Sequence, residues 1–181
     1  MVIGIAGMPG SGKNTVHEVA KRYGLPVFVM GDEVRVEAAK RGLEPTPENL
    51  GRLMLKLREE EGPEALAKRL VPKIMASKSP VIIVDGIRSM DEVREFRKFF
   101  PDFKLLAVHA SPETRFKRLL KRKRSDDPKS WESFLERDDR EVRVGLGEVI
   151  AKADFLVVNE GTLDQYMGEL DRLFRKWLKI E

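Results

Sequence analysis

Short apolar runs alternate with amphipathic helical segments along the whole chain. Five runs are rich in β-branched or large aliphatic residues and have the length of strands: Val2 to Ala6, Val27 to Met30, Val81 to Val84, Leu105 to Val108 and Phe155 to Val158. Nearly continuous apolar strands are typical of a parallel sheet that helices cover on both faces. The pattern therefore predicts an α/β fold with three α/β/α layers and a five-stranded parallel sheet.

Two stretches are longer than a simple crossover. Residues 31–80 carry helical patterns broken by prolines and by Gly62, so they predict an inserted helical subdomain between the second and third strands. Residues 111–145 lie between the fourth and fifth strands and include a strongly basic run. Because no linker or low-complexity tract divides the chain, we expect one domain over residues 1–181.

Four helix starts carry capping signals. Ser89 to Glu92 and Thr162 to Gln165 have the capping-box pattern, in which a hydroxyl residue is followed three positions later by Glu or Gln. Ser111 and Thr46 each precede a proline, which is favoured at the first helical position. We therefore expect a helix to begin directly after each of these hydroxyl residues.

Composition narrows the class of protein. The 181 residues are 41% hydrophobic, which is enough to fill a core without disulfides. Cysteine is absent, so thiolate zinc sites, thiol catalysis and thiol redox chemistry are excluded. The first apolar run is too short for a signal peptide or a membrane helix, so we expect a cytoplasmic protein without membrane association. The net charge of +4 favours anionic ligands without requiring nucleic acid.

The clearest chemical motif follows the first strand and precedes a helical segment. Its spacing is G-x-x-x-x-G-K, and it consists of Gly7, Met8, Pro9, Gly10, Ser11, Gly12 and Lys13. Glycines allow backbone N–H groups to surround a polyphosphate, and the lysine at the helix start reaches the β and γ phosphates. The strand, loop and helix together predict a P-loop that binds ATP.

The position after the lysine departs from the usual P-loop. It normally carries Ser or Thr, whose hydroxyl binds Mg²⁺, but here it is Asn14, and the hydroxyl comes one place later at Thr15. An amide oxygen can coordinate Mg²⁺, although this ion demands tight octahedral geometry. We expect either that Asn14 binds the metal directly or that phosphates, water and acidic residues hold most of it.

Polar residues also follow the second and third strands, where an open parallel sheet binds its ligands. Asp85 follows the third apolar run, as the aspartate of a Walker B motif does. In that motif the carboxylate orients Mg²⁺ or a water bound to it. The alternative is that Asp85 caps a helix. Asp32 could accept a proton from an attacking group, help to hold Mg²⁺, or act as an N-cap. Arg35 and Arg88 follow the same two strands and predict a second phosphate site beside the P-loop.

A basic run near the middle of the chain predicts a lid. Seven cations fall within ten residues: Arg115, Lys117, Arg118, Lys121, Arg122, Lys123 and Arg124. Two more arginines, Arg137 and Arg140, follow later in the chain. Arginines on a mobile segment can stabilise the charge that develops during phosphoryl transfer, and we expect Arg118 and Arg122 to contact the nucleotide. A solvated helix face is the alternative for the lysines. Nucleic-acid binding is disfavoured because Phe116 is the only aromatic residue in the run.

These motifs together resemble a known family. The residues that carry the resemblance are Gly7 to Thr15, Gly31 to Arg35, Asp85 to Arg88, Arg124 to Pro128 with the later Arg137, and Asn159 to Thr162. The whole chain resembles the archaeal UPF0200 family of P-loop proteins, which is similar to adenylate kinases and dephospho-CoA kinases. The resemblance to nucleoside monophosphate kinases implies that Arg35 and Arg88 hold the acceptor's phosphate and that Arg124 and Arg137 act from the lid. It also implies that the helices of residues 31–80 bind the acceptor.

The resemblance to dephospho-CoA kinases rests on Ala153 to Thr162, and it implies that the loop of Asn159 and Gly161 packs against the adenine of ATP. It also implies that Asp32 acts as the base. We therefore expect transfer of the γ-phosphoryl group of Mg-ATP to a phosphorylated, nucleotide-type acceptor by Lys13, Asp85 and the lid arginines. The alternatives are a dephospho-CoA kinase-like enzyme and a non-catalytic, ATP-dependent sensor. The oligomeric state stays open, and His17 and His109 are expected to be structural.

Overall fold

The computed structural model describes residues 1–124 and 127–180, apart from the side chain of Pro47. The described strands are β1 (Val2–Ala6), β2 (Val27–Val29), β3 (Ile82–Asp85), β4 (Lys104–His109) and β5 (Phe155–Val158). The described helices are α1 (Lys13–Arg22), α2 (Met30–Lys40), α3 (Pro47–Glu61), α4 (Ala65–Met75), α5 (Met90–Phe99), α6 (Pro112–Arg122), α7 (Trp131–Val144), α8 (Leu146–Ala151) and α9 (Leu163–Leu178). Ser125 and Asp126, which are part of the family resemblance, lie outside the described residues.

The strands form one sheet in the order β2-β3-β1-β4-β5, and every neighbouring pair is parallel. This arrangement confirms the predicted five-stranded parallel sheet. Five strand bounds differ from the sequence prediction by one residue, because β2 ends at Val29, β3 covers Ile82–Asp85 and β4 covers Lys104–His109. Met30 is the first residue of α2 because the helix begins directly at the strand end, and β3 includes Asp85, which lies opposite Ile5 and Val29.

The two faces of the sheet bury separate apolar clusters. On one face, α1 and α9 pack against β1 and β4, and the cluster includes Val16, Ile5 and Phe174. On the other face, helices from residues 30–75, together with α5 and α8, cover residues such as Val84 and Leu105. This three-layer packing places the carboxyl ends of β1, β2 and β3 at one open edge, where the P-loop begins.

The capping predictions are confirmed. Ser89 and Thr162 form capping boxes with Glu92 and Gln165, and the side chains of Ser111 and Thr46 accept hydrogen bonds at the starts of α6 and α3. The long segment between β2 and β3 contains α2, α3 and α4. In the described parts of the chain, no helix has both the length and the apolar character that crossing a membrane requires.

Candidate functional site

The P-loop connects β1 to α1 through a backbone that only glycine adopts easily. Gly10 and Gly12 have φ angles of 83° and 104°, which lie in the left-handed region. A Cβ on Gly7 would lie 2.6 Å from the carbonyl oxygen of Val108, so this position also requires glycine. Helix α1 begins directly after Gly12 without a side-chain cap and without an acidic residue in its first turn. Its first N–H groups are therefore suited to binding an anion.

Lys13 lies at the centre of this loop. Its Nζ donates to the carbonyl oxygen of Gly7 at 2.6 Å. Burial lowers the pKa of Lys13 below its ordinary value, and the negative charge of Asp85 opposes that shift. The ammonium group is thus held inside the loop by backbone oxygens and by a nearby carboxylate, rather than by a fixed ion pair.

Asp85 faces α1 from the end of β3. Its Oδ2 lies 3.0 Å from His17 Nε2, and its Oδ1 is buried without a hydrogen-bond partner among the described residues. The helix-cap alternative is wrong, because the next helix begins at Met90 and is capped by Ser89. The sequence interpretation gave His17 no part in the site. The signal was its position four residues after Lys13, which places both side chains on one face of α1.

Two further side chains hold the P-loop from the side of β5 and α9. The side chain of Asn159 donates to the Ser11 carbonyl at 2.8 Å, and the hydroxyl of Tyr166 donates to the Gly12 carbonyl at 3.1 Å. Arg118 donates in turn to the Asn159 carbonyl at 2.9 Å. Asn159 therefore contacts the loop itself, while Gly161 is exposed near the start of α9. Tyr166 is a contact that the sequence interpretation missed.

Two cavities open beside the loop. The first has a volume of about 310 Å³ and is lined by P-loop residues, including Asn14, and by three arginines of the basic segment: Arg118, Arg122 and Arg124. The second has a volume of about 300 Å³ and lies between the strand ends and the helical insertion. The side chains and loop atoms that line both are Pro9, Lys13, Arg88, Arg124 and Glu141. A ligand bound in one cavity would therefore lie close to a ligand bound in the other.

The arginines and lysines of the basic segment differ in their contacts, because Arg118, Arg122 and Arg124 line the first cavity and the lysines do not. Arg122 donates to Asp127 Oδ2 at 3.0 Å, and Arg137 lies 3.7 Å from the other oxygen of this nearly buried carboxylate. The hydrogen bond from Arg122 lowers the pKa of Asp127, so the carboxylate stays charged. Arg137 lines the first cavity with Arg122. The exposed lysines, as the alternative interpretation proposed, lie on the solvent side: Lys117, Lys121 and Lys123.

Asp32 and Arg35 lie side by side on α2 but differ in their relation to the two cavities. Asp32 and Arg35 form an exposed ion pair of 2.7 Å within α2, which has Val29 as its N-cap. Arg35 lines the second cavity, but Asp32 is not among the described residues that line either cavity. Because Val29 is the N-cap of α2, the N-cap alternative for Asp32 is wrong. Met8, Ser11 and Thr15 are not among the described residues that line these two cavities.

Two charged residues at the second cavity carry no sequence motif. Glu141 is largely buried, its Oε1 lies 3.7 Å from Arg88, and its Oε2 has no hydrogen-bond partner among the described residues. Arg58, on α3, donates to the fully buried Glu92 at 2.8 Å. Both were missed because each acts through a contact with an element that is distant in sequence.

The site fits a nucleotide better than a metal alone. In the part of the chain that is described, no group of three or more His, Asp or Glu side chains is placed to hold a metal ion. Among the described residues, the buried side-chain oxygens Ser11 Oγ and Asp85 Oδ1 have no hydrogen-bond partner, and Asn14 lines the first cavity. A hard cation there would take ligands from Asn14 or Asp85 and its remaining ligands from phosphate and water.

Comparisons with known proteins agree with this geometry. A family model described as an AAA domain matches residues 6–134. A UPF0200 protein of Pyrococcus abyssi is 47% identical over 98% of this chain and 97% of its own length, and one of Methanocaldococcus jannaschii is 49% identical over 98% and 91%. The chain belongs to the UPF0200 family. For this UPF0200 protein, the P-loop kinase-like fold is thereby established.

Solved structures extend the likeness in fold. TT1252 from Thermus thermophilus has a TM-score of 0.66 with 20% identity and covers 97% of both chains. A shikimate kinase from Bacteroides thetaiotaomicron also has a TM-score of 0.66, with 14% identity over 99% of both chains. At these identities the likeness concerns the fold alone, and the chemistry of this UPF0200 protein has to be argued from its own residues.

Proposed function

We propose that this protein binds Mg-ATP in the first cavity and transfers its γ-phosphoryl group to a phosphorylated small molecule in the second. A nucleotide-type molecule is the first acceptor to test. The observation that carries the proposal is the pair of adjoining cavities that share Lys13, Arg88, Arg124 and Glu141. Phosphoryl transfer needs this arrangement, because donor and acceptor must meet in line away from bulk water.

The P-loop residues bind the nucleotide's phosphates. The uncapped N–H groups at the start of α1 and the loop's own N–H groups donate to phosphate oxygens. Lys13 exchanges its backbone carbonyl partners for the β and γ phosphates, and its positive charge offsets theirs. Asn159 and Tyr166 keep the loop's carbonyl groups turned outward, so that its N–H groups point toward the anion.

Asn14 and Asp85 are the residues that would hold Mg²⁺. When bound, the ion neutralises charge on the β and γ phosphates. Among the described residues, the buried Oδ1 of Asp85 has no hydrogen-bond partner, so it would be available to the ion. The other oxygen, Oδ2, lies 3.0 Å from His17 Nε2.

The arginines act on the transferred group and on the acceptor. Arg124 and Arg137 would stabilise charge on the oxygens of the group in transfer. Arg88 lines both cavities, and with Arg35 it would bind the acceptor's phosphate. In the balanced reaction, an ionised oxygen of the acceptor's phosphate forms a bond to the γ-phosphorus, so no proton has to be removed. The bond from that phosphorus to the bridging oxygen breaks, and ADP leaves with this oxygen.

The proposal has two alternatives, a different acceptor and ATP binding without transfer. A dephospho-CoA kinase would differ in the acceptor only, and competition by dephospho-CoA but not by AMP, CMP or UMP would identify it. A sensor that binds ATP without transfer is favoured by Asn14, because the usual hydroxyl ligand for Mg²⁺ is absent from that position. Tight Mg-ATP binding without acceptor-dependent ADP production would identify the sensor.

The P-loop assignment is tested by ATP binding to the Lys13→Ala variant. The loss of a charge-assisted contact to two phosphates should weaken binding about 10- to 100-fold. The matched control is Lys21→Ala, which removes an exposed lysine from the same helix and should leave the affinity unchanged. Isothermal titration with Mg-ATP measures both, and equal affinities for Lys13→Ala and the parent protein would refute the assignment.

A further inference from the structure

Arg58 has a side-chain donor that none of the described residues uses. The side chain lies on α3 with 14% of its surface exposed, and it lines the second cavity. One guanidinium nitrogen, Nη2, donates to Glu92 at 2.8 Å, whereas Nη1 is buried without a hydrogen-bond partner among the described residues. A buried guanidinium donor without a partner is costly, so an arginine kept in this position points to a ligand that completes its hydrogen bonds.

Glu92 fixes Arg58 relative to Arg88. The Glu92 carboxylate is fully buried, and its Oε1 accepts from Arg58. Its Oε2 accepts from the backbone N–H groups of Arg88 at 2.8 Å and Ser89 at 3.3 Å. One carboxylate therefore holds the guanidinium of α3 and the backbone of the loop after β3. Pre-organised donors bind an anion with less loss of conformational entropy than mobile ones.

The other three arginines of this cavity are less well held, and one of them, Arg124, is exposed. Arg35 is 59% exposed and is already paired with Asp32. Arg88 extends between Glu141 and the sulfur of Met54, at 3.7 Å and 3.6 Å. Arg58 thus combines the burial, the rigid support and the unused donor that a specific anion site requires.

The rest of the second cavity indicates how the acceptor is recognised. Among the described residues that line it, the polar side chains are all charged, and the other walls are aliphatic residues, methionines, glycines and a proline. These residues include no side-chain amide, hydroxyl or aromatic ring with which to read a nucleobase. Charge on a compact group is therefore what this cavity selects most strongly.

We propose that Arg58, fixed by Glu92, binds a phosphate group of the acceptor together with Arg88. This inference rests on the proposed function for the identity of the second cavity as the acceptor site. The sequence predicted that Arg35 and Arg88 hold the acceptor's phosphate. In this inference, Arg58 replaces the exposed Arg35 as the main partner of Arg88. It also widens the acceptor class to small phosphorylated compounds with an apolar body.

The test uses inorganic phosphate as the probe and the full-length protein saturated with Mg-ADP, which fills the nucleotide cavity. Isothermal titration gives the phosphate affinity of the parent protein, Arg58→Met and Arg58→Lys. Both variants lose the guanidinium, whose Nη2 is held by Glu92 while Nη1 donates to the phosphate, so phosphate binding should weaken about 10- to 100-fold in each. Arg58→Lys keeps a positive charge beside Glu92, so it tests the site even where Arg58→Met unfolds. The matched control, Arg52→Met, removes an exposed arginine from the same helix and should change the affinity less than twofold.

The inference is overturned if folded Arg58→Lys binds phosphate as tightly as the parent protein, or if the parent binds no phosphate at all. Phosphate could also bind in the nucleotide cavity, which Arg58 does not line. Binding at that cavity would survive both substitutions, and this distinguishes it from binding at the proposed site. Arg58-dependent phosphate binding with no acceptor-stimulated ADP release would support the anion site and reject the kinase. Acceptor-stimulated release that Arg58→Lys leaves unchanged would support the kinase and reject the role of Arg58.

Discussion

Replacing Arg115 with methionine should destabilise the protein more than any surface change, because this side chain joins three parts of the site. Arg115 is 4% exposed, and its guanidinium donates to both carboxylate oxygens of Asp138, with Nη1 at 2.8 Å from Oδ1. It also donates to the carbonyl oxygens of Ala110 at 3.1 Å and Pro9 at 3.3 Å. The guanidinium carbon lies 5.0 Å from the centroid of the Phe134 ring.

The magnitude follows from what the substitution leaves behind. Arg115→Met keeps most of the packing volume but leaves the largely buried Asp138 carboxylate without its partner, which costs about 3–5 kcal/mol. For a chain of this size, that corresponds to a fall in the melting temperature of about 6–20 °C. Arg115→Met with Asp138→Asn should recover part of the loss, because the second change removes the unpaired buried charge.

Equilibrium unfolding in guanidinium chloride measures these differences. The matched control is Lys152→Met, which removes an exposed ion pair with Glu148 one turn away in α8, and it should cost no more than about 0.5 kcal/mol. If Arg115→Met costs as little as this control, the joint between α6, α7 and the P-loop is not a source of stability and the reasoning fails.

Two further predictions concern charge at the site and in the helical insertion. Asp85→Asn should reduce Mg²⁺-dependent ADP production about 100-fold or more while leaving metal-free ATP binding nearly unchanged, and full activity in this variant would remove Asp85 from the site. Hydrogen bonds from Arg69 and then Arg41 hold the pKa of Glu37 at about 2, below its ordinary value of 4.5. The lowered pKa stabilises the fold above about pH 4.5, and this contribution disappears as the pH falls toward 2. Glu37→Gln should therefore cost about 1–2 kcal/mol at pH 7 after solvent screening and flatten the acid limb of the stability curve, as measured by chemical denaturation from pH 7 to pH 2.

Most of the fold could be predicted because its signals are local. The P-loop spacing, the apolar runs and the caps at Ser89 and Thr162 each depend on residues within a few positions of one another. The strand order also agrees with a parallel sheet whose ligands gather at the carboxyl ends. One-residue errors at Met30 and Asp85 reflect strand ends that the apolar pattern does not mark.

The candidate site was less predictable because its contacts join distant elements. The Arg58–Glu92 pair spans 34 residues, and the pairing of His17 with Asp85 depends on how α1 lies against β3. Asp32 and Arg35 were predicted to be a base and an anion ligand; in the fold they form an exposed ion pair, and Arg35 lines the second cavity whereas Asp32 does not. Charge type alone could not separate these cases, since burial and the neighbouring elements decide them.

ADP release from Mg-ATP, measured across a panel of acceptors, tests the central claim most directly. The panel contains AMP, GMP, CMP, UMP, their deoxy forms, dephospho-CoA and small non-nucleotide phosphate esters, and Lys13→Ala is the control. We expect one acceptor to stimulate release, and we expect Lys13→Ala to abolish that stimulation. Equal rates with every acceptor, despite measurable Mg-ATP binding, would contradict phosphoryl transfer and favour an ATP-dependent sensor.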